Sequence, residues 1–155
     1  LPAEKPEPKR WENGTAGSEV GGVTANITRA HEPIELVLPW PSRDLHPNSR
    51  GHWSKRSKAA KSARHAAWAL TRQACTAEAL AALPDGPLHV WIDGYPTDRR
   101  RRDADGLLSS LKSALDGIAD ALGVDDRRFV PHPWVRDEVR KGGEVRIRIT
   151  GGPHA

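Results

Sequence analysis

The chain has 155 residues, 37% of them hydrophobic, enough for one domain with a modest core that a dimer would help to bury. Net charge is only +4; no apolar run is long enough to span a membrane, and no signal-peptide segment opens the sequence. Cys75 is the only cysteine, which excludes an internal disulfide and fits a reducing cytoplasm. The cysteine and histidines show no zinc-ligand spacing.

Residues 1–32 are rich in Pro, Glu, Lys, Gly and Thr and read as a disordered tail. Trp11 is the exception within it, and Asn26-Ile27-Thr28 is a chance sequon in a chain with no secretion signal. Ile34, Leu36 and Leu38 alternate with Glu35 and Val37, giving a short strand stopped by Pro39-Trp40-Pro41. Residues 42–53 form a loop that carries Arg43 and Arg50 towards phosphate.

Residues 54–82 read as one long helix. Ala63, Ala67, Leu70, Ala74, Ala77 and Ala81 share one face, small enough to pack closely on a sheet. Lys58, Lys61, His65, Trp68 and Arg72 lie on the other, as a cationic stripe suited to weak contact with a nucleic-acid backbone. After the turn at Pro84-Asp85-Gly86-Pro87, Leu88, Val90 and Ile92 alternate with polar and aromatic residues in a second strand that runs to Tyr95.

That strand delivers the chain to Asp98-Arg99-Arg100-Arg101-Arg102-Asp103-Ala104-Asp105, the stretch on which a functional reading turns. In an extended backbone, residues i and i+2 point to one face. Asp103 and Asp105 can then hold one hard cation, Mg²⁺ or Mn²⁺, beside arginines that suit phosphate. Charge is segregated around them. From Trp40 to Arg102 there are twelve Lys/Arg against five Asp/Glu, and from Asp103 to Asp126 six Asp against one Lys. A basic half followed by an acidic cluster fits a protein that holds a polyanion and places a metal against it.

A second helix runs from Gly106 to Leu122, with Leu107, Leu108, Leu111, Leu115, Ile118 and Leu122 on its apolar face. Ser109, Lys112, Asp116 and Asp120 lie on the other face, Gly123 ends the helix, and Asp125-Asp126 follow. At 1.5 Å per residue the helix is about 25 Å long, so Asp126 meets Asp103 and Asp105 only if the chain folds back. A third strand is expected around Trp134–Glu138, then a hairpin turn at Lys141-Gly142-Gly143, then a last strand with Val145, Ile147 and Ile149 facing inward. The order β-α-β-α-β-β predicts an α+β fold, a single mixed sheet with two main helices packed on it.

In these residues the chain resembles the RusA Holliday-junction resolvases. The likeness rests on Ile34 to Pro41, Leu88 to Tyr95, the arginine run with Asp103-Ala104-Asp105, Leu107 to Asp126, and Gly142 to Ile147. It implies a RusA-like nuclease domain over residues 33–151. It also implies a homodimeric, Mg²⁺-dependent endonuclease that nicks four-way DNA junctions symmetrically, often in phage or prophage recombination. By position, Asp103, Asp105 and Asp126 are the implied metal carboxylates, and Arg102 sits beside the scissile phosphate. Arg99, Arg100 and Arg101, with Lys58, Lys61 and Arg72, are the expected DNA contacts.

The family often has Asn after the second Asp and Lys four residues after it; here those positions are Gly106 and Ser109. Lys112 is the substitute for that lysine, set against a plain i, i+4 ion pair with Asp116. Two other readings compete with junction resolution: a DNA-binding module without catalysis, and a nuclease for flaps or other branched DNA.

Overall fold

The computed structural model describes residues 32–152. The expectations for the N-terminal tail, including Trp11 and the sequon, lie outside the described residues, apart from Glu32. The fold is α+β, with one mixed four-stranded sheet. Its strands are β1 (Ile34–Pro39), β2 (Leu88–Tyr95), β3 (Phe129–Val135) and β4 (Glu144–Gly151), in the spatial order β1-β4-β2-β3. β4 is antiparallel to both neighbours, and β2 and β3 are parallel.

Alternation along the strands sorts their side chains. Ile34, Leu36 and Leu38, Leu88, Val90 and Ile92, and Val145, Ile147 and Ile149 are buried on one face. The α-helices are α1 (Trp53–Ala74), α2 (Ala77–Ala81), α3 (Ala104–Ser110) and α4 (Lys112–Leu122), with short 3-10 turns at Arg43–Leu45 and Asp126–Arg128. Leu107 from α3, Leu111 at the junction of α3 and α4, and Ala114, Ile118 and Leu122 from α4, with Ala67 from α1, close the core over the sheet. The other sheet face carries Trp91, stacked on His132 at 4.0 Å between centroids, and a buried ion pair in which Arg136 Nε donates to Asp93 Oδ1 at 2.8 Å.

The expected long helix of residues 54–82 is two helices. Cys75 leaves helical geometry, and the Thr76 hydroxyl accepts from Ala79 N to cap α2. Ala74, Ala77 and Ala81 are therefore exposed, and the buried positions of α1 are Ala67 and Thr71. The small face of α1 packs mainly against α4 rather than the sheet. Gly117 permits this approach, since a Cβ there would collide with the Arg64 carbonyl. Arg64 and Asp120 then join the two helices by an ion pair at 2.7 Å.

The second helix is also divided. Leu111 sits at φ −94° and ψ −1°, separating α3 from α4. The third strand starts five residues earlier than expected and includes Pro131 and Pro133. It is an edge strand, so two prolines of the same parity direct their missing N–H groups away from β2. β3 and β4 are not partners, which corrects the expected hairpin. The turn through Gly142 and Gly143, both at positive φ, instead carries the chain from the β3 edge to a central position between β1 and β2.

Candidate active site

β2 ends at Tyr95, and its exit lays the arginine run across one end of the sheet. Arg102 is the organiser of this run. Its Nη1 donates to Asp98 Oδ1 at 2.8 Å and to the carbonyls of Asp98 and Arg100 at 3.1 Å. Its guanidinium also lies 5.4 Å from the Trp40 ring centroid. Arg102 is thus committed to the shape of the loop, while Arg99, Arg100 and Arg101 are exposed. The Arg102 hydrogen bond, with the Arg100 backbone N–H, holds the Asp98 carboxyl down at about 2.

Because this folded-state value lies below the ordinary 3.8, the linkage stabilises the fold above 3.8 and is lost as pH falls towards 2. Urea titrations across that window should show the stability gap between the wild type and Asp98→Asn shrinking as pH drops. A gap that stays constant with pH would contradict the assigned pairing.

Asp103 is the N-cap of α3. Its Oδ1 accepts from Gly106 N at 2.8 Å, and Asp105 stands in the first turn. The backbone there is thus a helix start rather than the extended segment on which the same-face expectation rested. Both carboxylates are nevertheless exposed and line one groove of about 820 Å³ with Arg100, Arg101, Ser109 and the loop from Pro41 to Ser49. That loop is pinned by buried Leu45, and it brings Arg43, His46, Asn48 and Ser49 to the groove wall. Of these, sequence reasoning had singled out only Arg43. The signal for the others was the dense run of turn formers right after a strand end, where binding residues collect.

Asp126 has a different neighbourhood. Gly123 adopts the left-handed conformation, at φ 68°, and turns the chain back along α4. Lys112 Nζ lies 3.8 Å from Asp126 Oδ2 and 3.8 Å from Asp116 Oδ1. Asp125 caps the turn that follows by accepting from Arg127 N at 2.9 Å, which lowers its carboxyl below the usual range. Among the described residues, no three His, Cys, Asp or Glu side chains gather as a metal site. The chain places Asp103 and Asp105 in one groove and pairs Asp126 with Lys112. Lys58, Lys61 and Arg72 are exposed on α1, where Trp68 lies between His65, at 5.9 Å, and the Arg72 guanidinium, also at 5.9 Å.

A scan against family models found no match. Individual relatives are informative. An uncharacterized protein of Xylella fastidiosa is 53% identical over 116 residues, covering 75% of each chain. The crossover junction endodeoxyribonuclease RusA of Escherichia coli K12 is 31% identical over 121 residues, which is 74% of this chain and 92% of that enzyme. RusA of Enterobacteria phage 82 is 35% identical over 65 residues, 41% of this chain and 52% of the phage protein. Because the Escherichia coli match runs through nearly that whole enzyme, the chain belongs to the RusA family of crossover junction endodeoxyribonucleases.

Proposed function

We propose that this chain is a Mg²⁺-dependent endonuclease that resolves four-way DNA junctions by paired nicks. The observation that carries the reading is one groove holding two exposed carboxylates, Asp103 and Asp105, against Arg100 and Arg101. Two carboxylate ligands suit Mg²⁺, which keeps several waters and takes substrate phosphate oxygens as further ligands. The donor set therefore fits without Asp126 as a third ligand, and Mn²⁺ can substitute. Bound there, the ion would supply an activated water and polarise the phosphoryl oxygen.

The chain's own residues do the rest. Asp103 is held in place by its bond to Gly106 N. Arg99, Arg100 and Arg101 grip the backbone near the scissile phosphate, and Arg102 fixes the loop that presents them. Lys58, Lys61 and Arg72 extend the contact along α1. Asp126 holds Lys112, whose ammonium offsets charge on the phosphate as it is cleaved. Junction choice follows shape and backbone contacts.

A labelled four-way junction should be nicked in pairs while a flap of matched sequence stays largely intact. Equal cleavage of both would favour a general branched-DNA nuclease, and tight binding without cleavage would favour a non-catalytic module. Lys112→Ala should lower the single-turnover rate by roughly 10²-fold. Its effect on melting should be small, because exposed ion pairs are worth at most about 1 kcal/mol. Ser109→Ala should be nearly silent. If Lys112→Ala cleaves normally and only melts lower, Lys112 is a surface ion pair.

Paired nicks also call for two active sites, so we place the enzyme as a homodimer. Sedimentation showing a monomer that still makes paired nicks would contradict that assembly.

A further inference from the structure

His46 sits at the groove wall opposite α3, in the loop whose sequence marks only Arg43 and Arg50 as phosphate contacts. Its ring is oriented by the loop itself. Asn48 N donates to His46 Nδ1 at 3.1 Å, and Ser49 N donates to the His46 carbonyl at 2.9 Å. A ring nitrogen that accepts a hydrogen bond carries no proton, so the neutral imidazole bears its proton on Nε2.

Nε2 points across the groove. A Cβ on Gly106 would lie 3.2 Å from His46 Nε2 and 2.5 Å from Asp103 Oδ1. Gly106 therefore keeps open the space in which the histidine N–H and the Asp103 carboxylate face each other. Any side chain at that position would push the ring or the carboxylate aside.

Given the nuclease reading, on which this inference rests, we propose that His46 is a further catalytic residue. Its Nε2–H donates to a non-bridging oxygen of the phosphate seated against Asp103 and Asp105. The donor is short and fixed in direction by the bond from Asn48 N to Nδ1. It adds orientation to a site whose other phosphate-binding groups, Arg100 and Arg101, are exposed cations on long side chains. Its contribution falls on the cleavage step rather than on overall junction affinity, which the cationic surface dominates.

Two conservative variants separate the two ring nitrogens. His46→Asn keeps an acceptor where Nδ1 lies, so the loop turn survives, but it removes the Nε2 donor. His46→Gln places an amide N–H near the Nε2 position. His46→Asn should lower single-turnover cleavage of a four-way junction by at least about 10-fold with its dissociation constant little changed. His46→Gln should recover most of the rate, a rescue that a merely structural histidine would not show.

The independent readout is nitrogen-15 NMR of the histidine-labelled full chain in EDTA. The His46 ring should be the Nε2–H tautomer, and its Nε2 signal should move when the junction is added. Wild-type cleavage by His46→Asn, an Nδ1–H tautomer, or an Nε2 signal unmoved by saturating junction would each overturn the proposal. If the wild type binds the junction but never cuts it, the nuclease reading falls, and the NMR result still decides whether His46 meets phosphate.

Discussion

Asp105→Asn should leave the four-way junction bound and uncut. Asp105 is exposed in the groove, and no hydrogen bond within the chain ties its carboxylate to a structural role among the described contacts. Asn preserves the side chain's shape and removes the charge that would hold a divalent ion. Losing a metal-based stabilisation of several kcal/mol corresponds to a rate loss of roughly 10³-fold or more. Affinity should be largely retained or even rise, because removing an anion from a phosphate-binding groove reduces repulsion.

Asp103→Asn should behave alike and fold normally, since Asn caps helices as well as Asp does. Asp103→Ala adds a capping loss of about 1 kcal/mol and would blur the comparison. The check is a single-turnover rate beside a binding isotherm for the same protein and junction. A variant Asp105→Asn that cuts at the wild-type rate removes this carboxylate from the site.

Gly117→Ala should be the most damaging single-methyl change in the described fold. A Cβ at Gly117 would fall well inside contact distance of the Arg64 carbonyl oxygen and 3.0 Å from its carbon. The obstacle is backbone, so α1 and α4 must move apart, and with them the Arg64–Asp120 pair and the burial of Ala67 and Ile118. Overpacking of this kind costs typically about 1–3 kcal/mol, and a rigid obstacle puts this site at the upper end. A loss near 3 kcal/mol lowers the melting temperature by on the order of 10 °C in a domain of this size.

Gly123→Ala is the informative control. Gly123 has open space around it and only its φ of 68° to defend. Its cost should stay near 1–2 kcal/mol, that of a left-handed non-glycine residue. Thermal melts that rank the two variants the other way would contradict the close α1–α4 packing.

Much of this architecture is legible in the residues. Period-two alternation identifies β1, β2 and β4 because each buries one face against the helices, and the inward residues are those found at or below 5% exposure. β3 was misplaced because Pro131 and Pro133 argue against a strand, and nothing local tells that this strand lies at an edge. The glycines at 142 and 143 read as a hairpin for a similar reason. A turn residue records its own φ, not the partner that the next strand will take.

The breaks at Leu111 and Cys75 interrupt patterns whose apolar periodicity continues past them, so the pattern alone hid them. In the site, the arginine run and the two groove carboxylates could be read as a motif. The pairing of Lys112 with Asp126 could not, since it depends on the chain reversing at Gly123. The stacking of Arg102 on Trp40 was equally hidden, because it needs residues about sixty positions apart to meet, whereas Asp98 lies only one turn's reach before Arg102.

Resolution at the Asp103–Asp105 groove, as proposed, depends on a divalent metal. Its most direct test is cleavage of an end-labelled four-way junction by the full chain, with Mg²⁺ and with EDTA. Symmetric paired nicks are expected with Mg²⁺, none with EDTA, and junction binding in both. Cleavage undiminished by EDTA, or junction left intact at saturating enzyme and Mg²⁺, would contradict it.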